Sequence, residues 1–124
     1  GGTSVEVKKD KLNFMYVKTV EELELAVKNS DKPIMVDFWA TWCVNCKELD
    51  NITFKNKEVL DVLSNYKLIK VDVTQNSTDD KALIRKFNLF GPPALIVYKN
   101  GKELTSKRIV GYKSPEEFLQ IINP

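Results

Sequence analysis

The chain contains no histidine. That absence removes Ser-His-Asp and Cys-His catalysis and every imidazole metal ligand. Long apolar runs are also missing, so no stretch of the sequence is expected to span a bilayer. A dominant charge sign is missing too: 19 basic and 17 acidic residues are interspersed and leave a net charge of +2. Such a balance does not suggest a nucleic-acid surface or a polybasic membrane surface. The first residues, Gly-Gly-Thr-Ser-Val-Glu, lack a charged n-region and an apolar h-region, so no signal peptide is expected there. Gly1 and Gly2 read as a leftover of expression, and the chain as either a mature protein or a piece of a longer one.

Cysteine is scarce but not scattered. Both cysteines lie in Thr41-Trp42-Cys43-Val44-Asn45-Cys46. A structural zinc site wants four Cys or His ligands, and here only two thiols are on offer. Carboxylates could complete a site, but no metal and no cofactor are expected. A staple across two intervening residues closes a very small loop and removes little unfolded-state entropy. A redox pair needs two thiols one helical turn apart, after a buried strand and at the start of a helix. There the free N–H groups and the macrodipole favour a thiolate at Cys43. Cys43 is therefore read as the attacking thiol and Cys46 as the resolving one.

The remaining sequence supplies that setting. The chain has 124 residues, 43% of them hydrophobic and 29% charged, which suits one globular domain. Residues 1–11 are polar and are expected to be flexible; residues 12–124 are read as a single domain. Strands are expected at 12–17, 34–39, 67–73 and 94–98. The run Ile34-Met35-Val36-Asp37-Phe38-Trp39 is nearly all apolar, as in strands buried on both faces. Helices are expected at 20–28, 43–51, 56–63, 78–87 and 115–122, with capping-box spacing at Thr19/Glu22 and Ser114/Glu117. Asn100-Gly101 signals a type I′ hairpin, with residues 103–110 returning antiparallel. Alternating strands and helices imply an α/β fold with parallel crossovers and an antiparallel edge.

Four further positions are candidates for the site. Asp37 interrupts an apolar strand. Burial would raise its pKa and suit it as proton acceptor for Cys46; the alternative is a partly exposed or backbone-bonded carboxylate. Asp50 lies four residues after Cys46 and could face the same patch, where its charge would raise thiol pKa values, or it could be a solvated helix charge. Trp42 is a rim aromatic that could serve in docking, and Trp39 a core one. In Phe90-Gly91-Pro92-Pro93-Ala94, a proline after glycine and before a strand can be a cis turn, although base rates favour trans.

Over residues 14–122, the stretches VDFWATWCVNC, LIKVDVT and FGPPALIVYKNG resemble the thioredoxin superfamily. The resemblance implies a thioredoxin-like fold, with a central mixed sheet flanked by helices. It also implies that Pro93 is a cis-proline facing the cysteines and that Asp37 is the buried acid behind them. WCVNCKELDNITFKNKEVLDVL is similar to the C-terminal periplasmic domains of the DsbD type of thiol:disulfide interchange protein. That similarity implies a monomeric periplasmic relay domain. It would take electrons from the membrane-embedded part of its own parent chain and pass them to an N-terminal periplasmic domain, which serves other thiol/disulfide proteins, including those of cytochrome c maturation. Asp37 and Asp50 match that family's two acids, although the second is usually Glu. Pro92 stands where the family usually has another residue; it lacks an N–H, so a partner strand could use only its C=O. A free-standing thioredoxin-like reductase is the second reading. An oxidase or isomerase is disfavoured by Val44-Asn45 between the cysteines. A non-catalytic interaction domain is disfavoured by retention of both thiols and Asp37.

Overall fold

The computed structural model describes residues 12–124. The segment 1–11, expected to be flexible, lies outside the described residues.

Six strands form one sheet: β1 (Phe14–Tyr16), β2 (Ile34–Trp39), β3 (Lys67–Asp72), β4 (Ala94–Lys99), β5 (Lys102–Glu103) and β6 (Ile109–Val110). The helices are α1 (Val20–Lys28), α2 (Val44–Asn51), α3 (Lys57–Leu63), α4 (Thr78–Lys86) and α5 (Pro115–Ile122). The sheet order is β1-β3-β2-β4-β5, with β6 also on β4. β1, β3 and β2 are parallel; β4 runs antiparallel to β2, so the change of direction falls at the centre of the sheet.

β2 is buried from Ile34 to Phe38 because it lies between two strands and two layers of helix. Alternation splits its side chains. Ile34, Val36 and Phe38 join Leu23 and Ala26 of α1 and Leu83 of α4. Met35 joins Leu49, Phe54, Val59, Leu63, Phe118 and Ile122 on the other face. Edge-to-face aromatic pairs lie in each layer, Phe38–Phe87 at 5.6 Å and Phe54–Phe118 at 6.0 Å. This alternation also decides where Asp37 points. It shares the second face, under the side that carries α2, α3 and α5.

Local sequence sets the helix starts. Ser114 and Glu117 form the full reciprocal box, with Pro115 opening α5. At α1 only half of the expected box forms. Thr19 accepts from the Glu22 N–H, but the Glu22 carboxylate takes the N–H of Lys18 instead. Asn100 and Gly101 both have positive φ, as the type I′ turn requires.

One expectation needs correction, and one unassigned stretch is filled. The return strand 103–110 is broken: a 3₁₀ turn at Thr105–Lys107 separates β5 from β6. Another 3₁₀ turn, Thr53–Lys55, fills the gap between α2 and α3, its Thr53 and Phe54 buried.

Candidate active site

The end of β2 carries the site. Its last residue, Trp39, is paired with Asp72 at the end of β3, and Phe38 is paired with Ala94 at the start of β4. Three loops therefore meet at one end of the sheet: 40–43 after β2, 73–77 after β3, and 91–93 before β4. β6 ends there as well, since Val110 pairs with Ala94 and the Gly111 N–H donates to Pro93 O at 3.0 Å.

Cys43 is the N-cap of α2 and forms a disulfide with Cys46. The Cys46 N–H donates to Cys43 Sγ at 3.1 Å. A donor and a helix N-terminus thus bear on the sulfur that must carry negative charge when the pair is reduced. Cys43 is 7% exposed and Cys46 1%. The flanking Trp42 and Val44 are open to solvent, so a partner can approach Cys43 more readily than Cys46. Cys46 Sγ lies 4.0 Å from Phe38 O, which places it against the backbone beside Asp37.

Asp37 is buried, and its Oδ2 has no hydrogen-bond partner among the described residues. Burial pushes its pKa from 3.8 up to about 7; Lys70 opposes the rise and Asp50 adds to it. The alternative of a partly exposed or backbone-bonded carboxylate is therefore replaced by a nearly unpartnered one. A carboxyl with a pKa near neutrality can accept and return a proton at physiological pH.

Lys70 is a site residue that the sequence reading passed over. It is registered opposite Asp37 across the β2–β3 pair, and its Nζ lies 4.0 Å from Asp37 Oδ2. The same ammonium sits 4.3 Å from the Phe14 ring centroid and 5.2 Å from that of Trp39. Two aromatic faces thus hold a nearly buried cation at the outer limit of ion-pair distance from Asp37.

Asp50 accepts a 3.0 Å hydrogen bond from the Trp39 indole N–H. Its carboxylate is engaged at the end of β2, and its electrostatic influence reaches Asp37. Trp39 is half-buried rather than a full core residue. Trp42 is on the rim, as expected, and its indole N–H donates to Thr74 O at 3.1 Å. The Pro92–Pro93 peptide is cis, against the base rate and in line with the resemblance. Pro93 is buried and Pro92 half-buried. No cluster of three or more potential metal-ligating side chains occurs among the described residues.

The thiol:disulfide interchange protein DsbD of Campylobacter jejuni is 40% identical over 121 residues, covering 98% of this chain and 21% of that protein. DsbD of Ralstonia nicotianae is 40% identical over 109 residues, 86% of this chain and 18% of that protein. The chain thus spans about a fifth of the length of these relatives. Among solved structures, the oxidised C-terminal domain of Neisseria meningitidis DsbD aligns with a TM-score of 0.69 at 28% identity, covering 86% of this chain and 95% of that one. The thioredoxin family model matches residues 14–124, nearly the whole chain, and so the chain belongs to the thioredoxin family.

Proposed function

We propose that residues 12–124 form one monomeric redox domain that reduces a protein disulfide and is then re-reduced by a dithiol. The observation that carries this is the Cys43–Cys46 disulfide, with the more accessible sulfur at the N-cap of α2 and the buried Asp37 behind it. Reduced Cys43 attacks one sulfur of the partner disulfide and expels the other as a thiolate. Cys46 then loses its proton to Asp37 and attacks Cys43 Sγ. The second partner thiolate leaves, and Asp37 returns its proton to the leaving group or to solvent. Two electrons have passed to the partner, and Cys43–Cys46 is oxidised.

Likeness to DsbD supports a place in a longer protein. In this reading the electron source is the membrane-embedded part of the parent, and the acceptor its N-terminal domain in the periplasm. That domain serves periplasmic disulfide isomerases and cytochrome c maturation. No described helix is long and apolar enough to cross a membrane, in keeping with an extramembrane role for this part.

Mixing the reduced chain with an oxidised N-terminal DsbD domain tests this. The expected result is rapid reduction of that domain with stoichiometric formation of the Cys43–Cys46 disulfide. Absence of transfer, with ready turnover by NADPH and a thioredoxin reductase, would instead favour a free-standing reductase. Pro92→Leu belongs in the same assay. It returns an N–H to the edge where a partner strand would pair, so transfer should quicken by about three- to tenfold, the value of one hydrogen bond. An unchanged rate would remove Pro92 from the docking surface.

A further inference from the structure

The nucleophile hangs from β2 by three residues, Ala40, Thr41 and Trp42. Thr41 and Trp42 are exposed, so burial does not fix them. The β2–β3 ladder ends with the Trp39–Asp72 pair, followed by one more backbone bond from Val73 N–H to Trp39 O at 2.8 Å. Beyond that point Thr74 continues the pairing. Its hydroxyl oxygen accepts from the Thr41 N–H at 2.9 Å. Its carbonyl accepts from the Trp42 indole N–H at 3.1 Å. The same hydroxyl donates to Asp72 Oδ1, which also accepts the Thr74 N–H at 2.9 Å. Every polar group of Thr74 is used, and the hydroxyl can direct its lone pair at Thr41 because its proton is committed to Asp72.

We propose that Thr74 is a positioning residue for thiol–disulfide exchange. Oriented by Asp72, it pins Thr41 and Trp42 and so holds Cys43 Sγ in line for attack. The inference rests on the exchange function proposed above and adds to it a residue outside the Cys-x-x-Cys motif. Thr74 touches neither sulfur, and its effect is geometric. Misplacing a reacting atom by about 1 Å can cost up to about a hundredfold in rate.

The test compares wild type, Thr74→Val and Thr74→Ser in the reduced form. The second-order rate constant with a small aromatic disulfide is measured across the pH range. Thr74→Val keeps shape and loses the hydroxyl; Thr74→Ser keeps the hydroxyl. The expected result is an alkaline plateau about tenfold lower for Thr74→Val with no movement of its pH midpoint, and a plateau within about twofold of wild type for Thr74→Ser. An unchanged plateau for Thr74→Val, an equal loss in both variants, or a change confined to the midpoint would overturn the proposal. A second measurement covers the case in which Thr74→Val does not fold. In wild type, the exposed Thr41 amide should exchange with deuterium far more slowly than an unstructured peptide. Free exchange there would show that the clamp is absent. Wild-type reaction with the aromatic disulfide is the internal control: its failure would count against the proposed function, whereas equal thiol–disulfide rates in wild type and Thr74→Val count only against positioning.

Discussion

Cys46→Ser should accumulate a stable mixed disulfide on Cys43, whereas Cys43→Ser should form none. The asymmetry follows from where the two sulfurs sit. Cys43 caps α2 between two exposed neighbours, and the Cys46 N–H points at its sulfur. Cys46 is enclosed beside the Phe38 carbonyl and can reach only Cys43. A serine hydroxyl cannot exchange with a disulfide, so Cys43→Ser should lose roughly a thousandfold or more of the exchange rate. Cys46→Ser should keep the first attack and lose the second, because no thiol remains to resolve the adduct. Intact-mass analysis after mixing with a small aromatic disulfide reads both outcomes. Equal adduct on the two variants would contradict the assignment of roles.

The second large effect concerns Asp37. Its folded pKa of about 7 lies above the ordinary 3.8 because burial penalises the charged form. The folded state therefore prefers the neutral carboxyl. Its contribution is fully favourable below about pH 4, declines as pH rises from about 4 to 7, and stays lost above that. A shift of about three units corresponds to about 4 kcal/mol over this window. Asp37→Asn removes the titration. In the oxidised form the variant should differ little from wild type at pH 4 and exceed its stability by a few kcal/mol at pH 8, read by urea unfolding at each pH. The same substitution removes the proton acceptor for Cys46. Exchange at neutral pH should therefore slow on the order of tenfold to a hundredfold. A more stable and less active variant is the expected signature. Parallel stability curves for the two proteins across pH 4–8 would mean that Asp37 is not the buried, destabilised carboxyl described here.

Much of the fold was legible because local and long-range signals agree. The apolar run of β2, the Asn-Gly turn and the Ser114–Glu117 box each state their structure within a few residues. The two cysteines state their chemistry through spacing and setting. What escaped the sequence reading depends on contacts between distant positions. Lys70 looks like an ordinary polar interruption of β3. Its meaning comes from Phe14 on β1 and Trp39 on β2, which sandwich it beside Asp37. Register is the signal that could have found it, since pairing β2 with β3 aligns the two charges. Asp50 bears on Asp37 electrostatically, but its hydrogen-bond partner, the Trp39 indole, lies 11 residues away on another element. Thr74 was hidden because it reads as loop. The break in 103–110 was missed for a similar reason. Nothing in Leu104-Thr105-Ser106-Lys107 forbids a strand, yet the chain must turn there so that β6 can pair beside Ala94 and Leu95. At Pro92–Pro93 the resemblance, rather than base rates, gave the right isomer.

We read Cys43–Cys46 as a reducing pair. The most direct test of this reading is the equilibrium reduction potential, titrated against a thiol buffer and read by alkylation and mass. A value towards thioredoxin's, about −270 mV, is predicted for a domain that donates electrons. A value near −120 to −180 mV, the range of thiol oxidants and isomerases, would overturn the reductive reading and favour an oxidase or isomerase.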